Sequence, residues 1–290
     1  MSKKMTVTYY YHSGFSVSSG DVLLVFDYWR GMGGKFPEAF GITPEVLARY
    51  NEVYVFISHE HEDHYDGLVY TWDQYAPVTY IVADTLPEQA RGHRVQKGSE
   101  LTLSDRVQVK CYGSTDAGVS FLVKVDGVSF FHAGDLNFWH WREVSNARQI
   151  QEADEDFRSE VQDIQGAEID VAFFPVDPRQ GMLFDAGANY FVLTVKPRLL
   201  LPMHFWGRSD VINEFARRSR TRETEIVSLT SAGQAIALDI EDDGFMNITL
   251  LAPPALPQTI NAAEQAVSLD GYEGADPFHE TDLPIDMNRR

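Results

Sequence analysis

The chain has 290 residues, with 24 Lys+Arg against 43 Asp+Glu, a formal net charge of −19 with histidine neutral. At 44% hydrophobic and 12% aromatic residues it can bury a large core, which excludes wholesale disorder and a low-complexity scaffold. So acidic a surface repels phosphate backbones, and nucleic acid is not expected as a partner.

Met1 to Val7 carries two lysines with no apolar run behind them, and no stretch approaches the roughly 18 apolar residues that span a bilayer. The expectation is a cytoplasmic protein with no membrane partner. The single cysteine, Cys111, cannot form an internal disulfide. It shares a face with Val107 and Val109 at period two, which makes it a core residue.

Residues 6–27 alternate and are rich in β-branched and aromatic side chains, with Gly14 and Gly20-Asp21 as turn signals, predicting two or three antiparallel strands. A glycine-rich loop, Arg30 to Lys35, follows. Pro44 to Tyr50 reads as a short helix with Thr43 as N-cap and Pro44 at its first position. Val53 to Ile57 is an apolar run of strand length. Val78–Val82 and residues 100–131 read as a strand meander, with Asp126-Gly127 turning a hairpin. Val144, Ala147, Ile150, Ala153, Phe157, Val161 and Ile164 recur at helical spacing. Strand Ile169–Pro175, helix Gly187–Val195, strand Leu199–Met203 and helix Val211–Ser219 then alternate, before strands near 225–228, 234–239 and 246–251. Five of the 13 prolines fall in residues 253–290. The expected organisation is one domain over residues 1–252 and an acidic tail over 253–290, which could cover a neighbouring subunit in a homo-oligomer.

The strongest chemical signal is His59-x-His61-x-Asp63-His64, placed directly after the apolar strand. Three imidazoles and a carboxylate so close together are costly as a protonated crowd and suit a divalent cation. On an extended strand end residues 59 and 61 point to one side, so one ion can take both. If the chain turns at 62–64, Asp63 and His64 face a second ion, and two ions about 3.5–4 Å apart suit hydrolysis. Asp135 and His204 each follow a predicted strand and could arrive at the same edge. Asp27 ends a strand and could orient a ligand histidine. His12 could line the cleft or satisfy a buried carbonyl, and His132 reads as a buried neighbour of the site. Arg179 could clamp a substrate carboxylate or phosphate. Trp139, His140 and Trp141 could wall the pocket or pack in the core.

His59-x-His61-x-Asp63-His64, then His132-Ala133-Gly134-Asp135, then Pro202-Met203-His204 resemble the metallo-β-lactamase superfamily across roughly residues 5–250. The opening, His12-Ser13-Gly14-Phe15-Ser16-Val17 with Leu24-Val25-Phe26-Asp27, is similar to the lactonase-like branch that includes the L-ascorbate-6-phosphate lactonase. The resemblance implies an α/β fold, a four-layer αββα sandwich with the metals at one sheet edge. It implies His59 and His61 at a first metal, Asp63, His64 and His204 at a second, and Asp135 bridging. One ligand departs from the pattern. Where the family supplies a further histidine to the first metal, this chain reads Tyr112-Gly113-Ser114-Thr115-Asp116-Ala117-Gly118, with Ser114 at the histidine's place. Asp116, a water or His132 could complete that site, and an oxygen ligand tilts preference from zinc toward manganese. The implied cofactor is one or two divalent ions per chain, zinc or manganese. The expected function is hydrolysis of a lactone or ester of a small metabolite by a metal-bound hydroxide, with Asp63 orienting the nucleophile or taking its proton. The alternatives are a phosphodiesterase on a small phosphodiester and a non-catalytic metal- or metabolite-binding module.

Overall fold

The computed structural model describes residues 2–31, 40–241 and 244–252. The alternating start folds into an antiparallel ladder of β1 (Lys3–Tyr9), β2 (Phe15–Ser19) and β3 (Val22–Phe26). The chain then crosses through α1 (Pro44–Leu47), where Thr43 Oγ1 accepts from the Val46 N–H, to β4 (Glu52–Ile57). The α1 helix is shorter than the span 44–50, because the chain must come back to β3, where the Asn51 N–H meets the Asp21 carbonyl. β4 pairs parallel with β3, and β5 (Val78–Ala83) and β6 (His93–Val95) extend the parallel run. The Val78–Val82 strand is therefore not part of the antiparallel meander. Its last four residues are all buried, the pattern of a parallel strand covered on both faces.

The meander itself forms a second sheet: β7 (Glu100–Thr102), β8 (Val107–Tyr112), β9 (Ser120–Val125) and β10 (Val128–His132). Asp126 (φ 49°) and Gly127 (φ 77°) make the expected hairpin turn, with the two left-handed residues that such a turn requires. Three crossovers follow, through α2 (Ala147–Ile164), α3 (Ala186–Val195) and α4 (Ser209–Ser219). They add the parallel strands β11 (Val171–Pro175), β12 (Leu199–Met203) and β13 (Glu225–Ile226). Val144 falls outside α2 and is 61% exposed, because Asn146 caps the helix in a reciprocal box with Gln149 and starts it later. The last strands, β14 (Ala235–Ile240) and β15 (Met246–Leu250), return to the first sheet beside β1. The strand orders are β15-β14-β1-β2-β3-β4-β5-β6 and β13-β12-β11-β10-β9-β8-β7.

The two sheets meet through aromatic rings. Phe15 of β2 stacks on Phe173 of β11 at 4.4 Å, and Phe56 of β4 meets Phe121 of β9 at 5.3 Å. Outside the second sheet, Phe157 of α2 and Phe191 of α3 pack on Phe174 of β11. On the first sheet, Leu47 of α1 is buried, and Trp72 of a 3₁₀ segment, Gly67–Gln74, packs edge-on against Tyr28. This is the αββα sandwich, with one outer layer reduced to short helical turns. Cys111 is buried in it. No helix among the described residues is long and apolar enough to cross a membrane. The tail from residue 253 and residues 32–35 of the glycine-rich loop lie outside the described residues.

Candidate metal centre

Five strands deliver the site to one edge of the sandwich. β3 and β4 run parallel and end in Asp27 and in Ser58 to His64; β10, β11 and β12 run parallel and end before Asp135, Asp177 and His204. The turn after β1 adds His12, and the loop after β8 adds Asp116. Carboxyl ends of parallel strands are where open α/β sheets place their ligands, because successive loops leave the strands on the same side there.

The side chains gather into two clusters, in each of which one donor atom per residue lies within 4.8 Å of all the others. The first is His59, His61, Asp116 and Asp135; the second is His12, Asp63, His64 and His204. Asp135 joins them. Its Oδ2 is 3.6 Å from His59 Nε2, while its Oδ1 is 3.1 Å from His64 Nε2 and 3.4 Å from His204 Nε2. The Nε2 atoms of His59, His64 and His204 are buried and make no hydrogen bond. Buried polar atoms without partners cost about 1–3 kcal/mol each, so a shared electrophile between them would remove a penalty the fold otherwise carries.

The ring orientations follow from what each Nδ1 meets. Asp27 Oδ2 accepts from His64 Nδ1 at 2.8 Å and from the Ser58 hydroxyl at 2.6 Å, and Asp27 Oδ1 accepts from the Ser58 N–H at 2.8 Å. A hydroxyl has one proton, so Ser58 Oγ, having donated to Asp27, accepts from His59 Nδ1 at 2.9 Å. His204 Nδ1 donates to Asp177 Oδ2 at 2.9 Å. In all three rings the Nδ1–H is taken, so Nε2 presents its lone pair to the centre, as a metal ligand must. Asp177 is held in turn by Arg179, whose guanidinium donates to both its oxygens and lies over Trp206 and Trp141 at 4.7 and 5.5 Å.

Electrostatics agree with neutral, metal-ready imidazoles at two positions: burial pushes His59 down to about 3 and His12 down to about 4. His64 moves the other way, because Asp135 and Asp63 outweigh its burial and raise it well above the usual value. Burial would raise Asp63, yet the surrounding His64, His12 and His204 hold it well below the carboxylate range. Asp116 is pushed up to about 6, first by burial and then by the charge of Asp135.

Of the residues singled out in the sequence, Asp116 and not Ser114 enters the first cluster; Ser114 Oγ lies 3.4 Å from the Asp116 N–H. His132 faces away: Nε2 donates to the Ser13 carbonyl at 2.8 Å, Nδ1 accepts from the Gly134 N–H at 3.2 Å, and the ring stacks on Phe26. It is a buried spacer that could not complete the first cluster. Asp27, expected to orient a ligand histidine, meets His64 Nδ1 at 2.8 Å. Arg179, the expected substrate clamp, meets Asp177 in the structure. Sequence reasoning missed Ser58 and Asp177. For Asp177 a signal existed, since it follows β11 as Asp135 follows β10. Trp139 sits 5.6 Å from His204, its Nε1 donating to the Asp135 carbonyl, and stacks on Trp141; Trp29 and Trp206 approach His12 at 5.6 and 4.3 Å. Trp29, Trp139 and Trp206 therefore wall the centre, with Trp141 stacked on Trp139.

Residues 6–156 match the family described as the beta-lactamase superfamily domain. The chain belongs to that superfamily. The matched span includes His59 to Asp135 and ends before Asp177 and His204. Among solved structures, a similar one is Igni18, a metallo hydrolase of the hyperthermophilic archaeon Ignicoccus hospitalis KIN4/I. It has 16% identity and a TM-score of 0.56, covering 82% of this chain and 100% of that one. YhfI, a metallo-β-lactamase fold protein of Bacillus subtilis, is 14% identical with a TM-score of 0.50, covering 86% of this chain and 99% of that one. The diiron β-hydroxylase CmlA of Streptomyces venezuelae is 11% identical with a TM-score of 0.53, covering 81% of this chain and 54% of that one. Such identities speak to the fold alone. No curated protein matches the chain.

Proposed function

We infer that this superfamily member is a metal-dependent hydrolase of a lactone or carboxylic ester of a small molecule. The observation that carries this is the convergence of the buried Nε2 atoms of His59, His64 and His204, none of them hydrogen-bonded, on the two oxygens of Asp135. His59, His61, Asp116 and Asp135 would hold one divalent ion, and Asp63, His64, His204 and Asp135 a second. Bound there, the ions would supply Lewis acidity and a nucleophilic water at neutral pH.

The chain's own groups do the rest. Asp27, Ser58 and Asp177 fix the imidazole tautomers. Asp63, whose Oδ2 lies 3.1 Å from His12 Nε2 in the second cluster, would orient the nucleophile. Trp29, Trp139, Trp141 and Trp206 offer flat apolar faces for the ring or acyl portion of a substrate and keep bulk water from it. The choice of carbonyl over phosphorus rests on the walls. The ring faces of Trp29, Trp139 and Trp206 beside His12 and His204 suit a neutral, partly apolar substrate, and the guanidiniums of Arg30 and Arg179, which could grip phosphate oxygens, are engaged by Asp66 and Asp177.

The test is the metal content of the purified full-length chain followed by a panel of lactones, carboxylic esters and phosphodiesters on the same sample. Metal-dependent turnover of lactones or esters is expected. Turnover confined to phosphodiesters overturns the substrate class, and a chain that takes up no divalent ion overturns the metal-centre reading.

A further inference from the structure

His12 begins the opening run and stands apart from the three motifs that supply the implied metal ligands, in the turn after β1, yet its ring faces the second cluster. It is 1% exposed, and neither ring nitrogen makes a hydrogen bond. Its Nε2 is 3.1 Å from Asp63 Oδ2, and its ring centroid is 4.0 Å from that of His204. Donors held at about 2.0–2.2 Å from one ion are separated by about 3.0–3.6 Å. The observed separations among these donors fall at or near that range: 3.1 Å for His12–Asp63, 3.8 Å for His204–Asp63, 3.1 Å for His64–Asp135 and 3.4 Å for His204–Asp135.

The backbone is bent to bring this about. His12 (φ 54°) and His204 (φ 63°) both adopt the left-handed region, and the His204 N–H donates to the His12 carbonyl at 3.2 Å. Two strained, non-glycine residues locked to each other with their rings side by side are the kind of strain that persists where the surroundings over-determine it, typically at a functional site. Nothing in the packing of an ordinary core histidine calls for it, since such a residue hydrogen-bonds at least one ring nitrogen.

The first cluster differs in kind. It has two imidazoles and two carboxylates, with the His61 side chain 37% exposed, whereas the second has three buried imidazoles, His12, His64 and His204, and one carboxylate, Asp63, as exposed as Asp116. Building on the metal-centre reading above, we propose that His12 is a ligand of the second ion and that the two sites are unequal. The imidazole-rich site of His12, His64, His204 and Asp63 fills first and prefers zinc, and the carboxylate-rich site completed by Asp116 fills second and accepts manganese. The donor sets carry the preference, because imidazole suits zinc while added carboxylate suits harder ions.

Metal-stripped full-length protein titrated with zinc in a calorimeter, with bound metal counted by elemental analysis, is expected to show a tight and a weak step. His12→Asn keeps a residue that tolerates positive φ. It should weaken the tight step at least about tenfold, since even groups that only support a metal ligand are worth about 10–100-fold. Asp116→Asn should weaken only the other step. X-ray absorption on wild-type protein carrying one equivalent of zinc needs no variant, and it should count three imidazoles at the ion. Two imidazoles there, or an unchanged tight step in a folded His12→Asn protein that still binds two ions, overturns the role of His12 and leaves the dinuclear reading standing. Absence of any bound ion in the wild-type protein overturns the reading beneath it.

Discussion

Asp27 accepts hydrogen bonds from Ser58 N, Ser58 Oγ and His64 Nδ1 while fully buried, so one carboxylate sets two rings of the centre, His64 directly and His59 through the serine. Asp177 does the same for His204 from the opposite sheet, and the His204 contact and Arg179 hold it down at about 2 although burial pulls the other way. Asp177→Asn keeps the shape and removes the charge. Metal affinity should fall by about 10–100-fold, as for other groups that orient a ligand imidazole, measured by competition with a chromogenic chelator. His61→Ala removes a donor outright, and both metal uptake at the first cluster and hydrolysis should disappear. Retained stoichiometry in that variant would show that His61 is a bystander. Burial pushes the Cys111 thiol up to about 12, so at pH 8 it stays protonated in the folded chain. A disulfide reagent should label no thiol in the native protein and one per chain after unfolding.

At the scale of elements, the centre depends on two loops closing on the end of β4. Gly118 has φ +64°, and a Cβ there would stand 1.9 Å from the Ser58 carbonyl oxygen, whose own bond to the Val119 N–H clamps the loop carrying Asp116 onto the loop carrying His59. Gly118→Ala meets both strain and clash, and should cost at least about 2 kcal/mol in urea unfolding. It should also weaken the first metal site, because Asp116 rides on the same loop. Unchanged stability would mean that the loop can move aside and is not what places Asp116. Phe173 of β11 joins the sheets by meeting Phe15 and Phe26. Phe173→Ala should cost about 3–5 kcal/mol and disturb both halves of the site together.

For the whole molecule, the parallel strands of both sheets point their carboxyl ends the same way, which is why residues as far apart as His12 and His204 meet. The net charge of −19 works against this compact state. Local pairs answer part of it: Arg106 binds Asp21 and Asp126 and donates to the Ser19 carbonyl, tying two hairpin turns of different sheets. With so large an excess of acid, added salt should raise the melting temperature of the metal-free protein up to and beyond physiological ionic strength, as screening relieves repulsion. A fall over that range would show that ion pairs such as those of Arg106 outweigh the global charge.

Elements whose cause is local are legible in the chain alone. The Asp126-Gly127 hairpin, the Thr43-Pro44 helix start, the apolar run feeding the histidine cluster and the α/β alternation after residue 169 each rest on neighbours a few residues apart. The sequence also placed Asp135 and His204 at strand ends, since the motif and the strand before it are contiguous. The pairing partners of Val78–Val82 emerge only with the assembled sheets, because an apolar run reads the same in either one. The fold also decided that Asp116 enters the first cluster while Ser114 stays out, and that His12 meets His204. Those outcomes depend on which side chains meet across the gap between two sheets. That distance is set by the packing of Phe15, Phe26, Phe56, Phe121 and Phe173, not by anything adjacent in the chain.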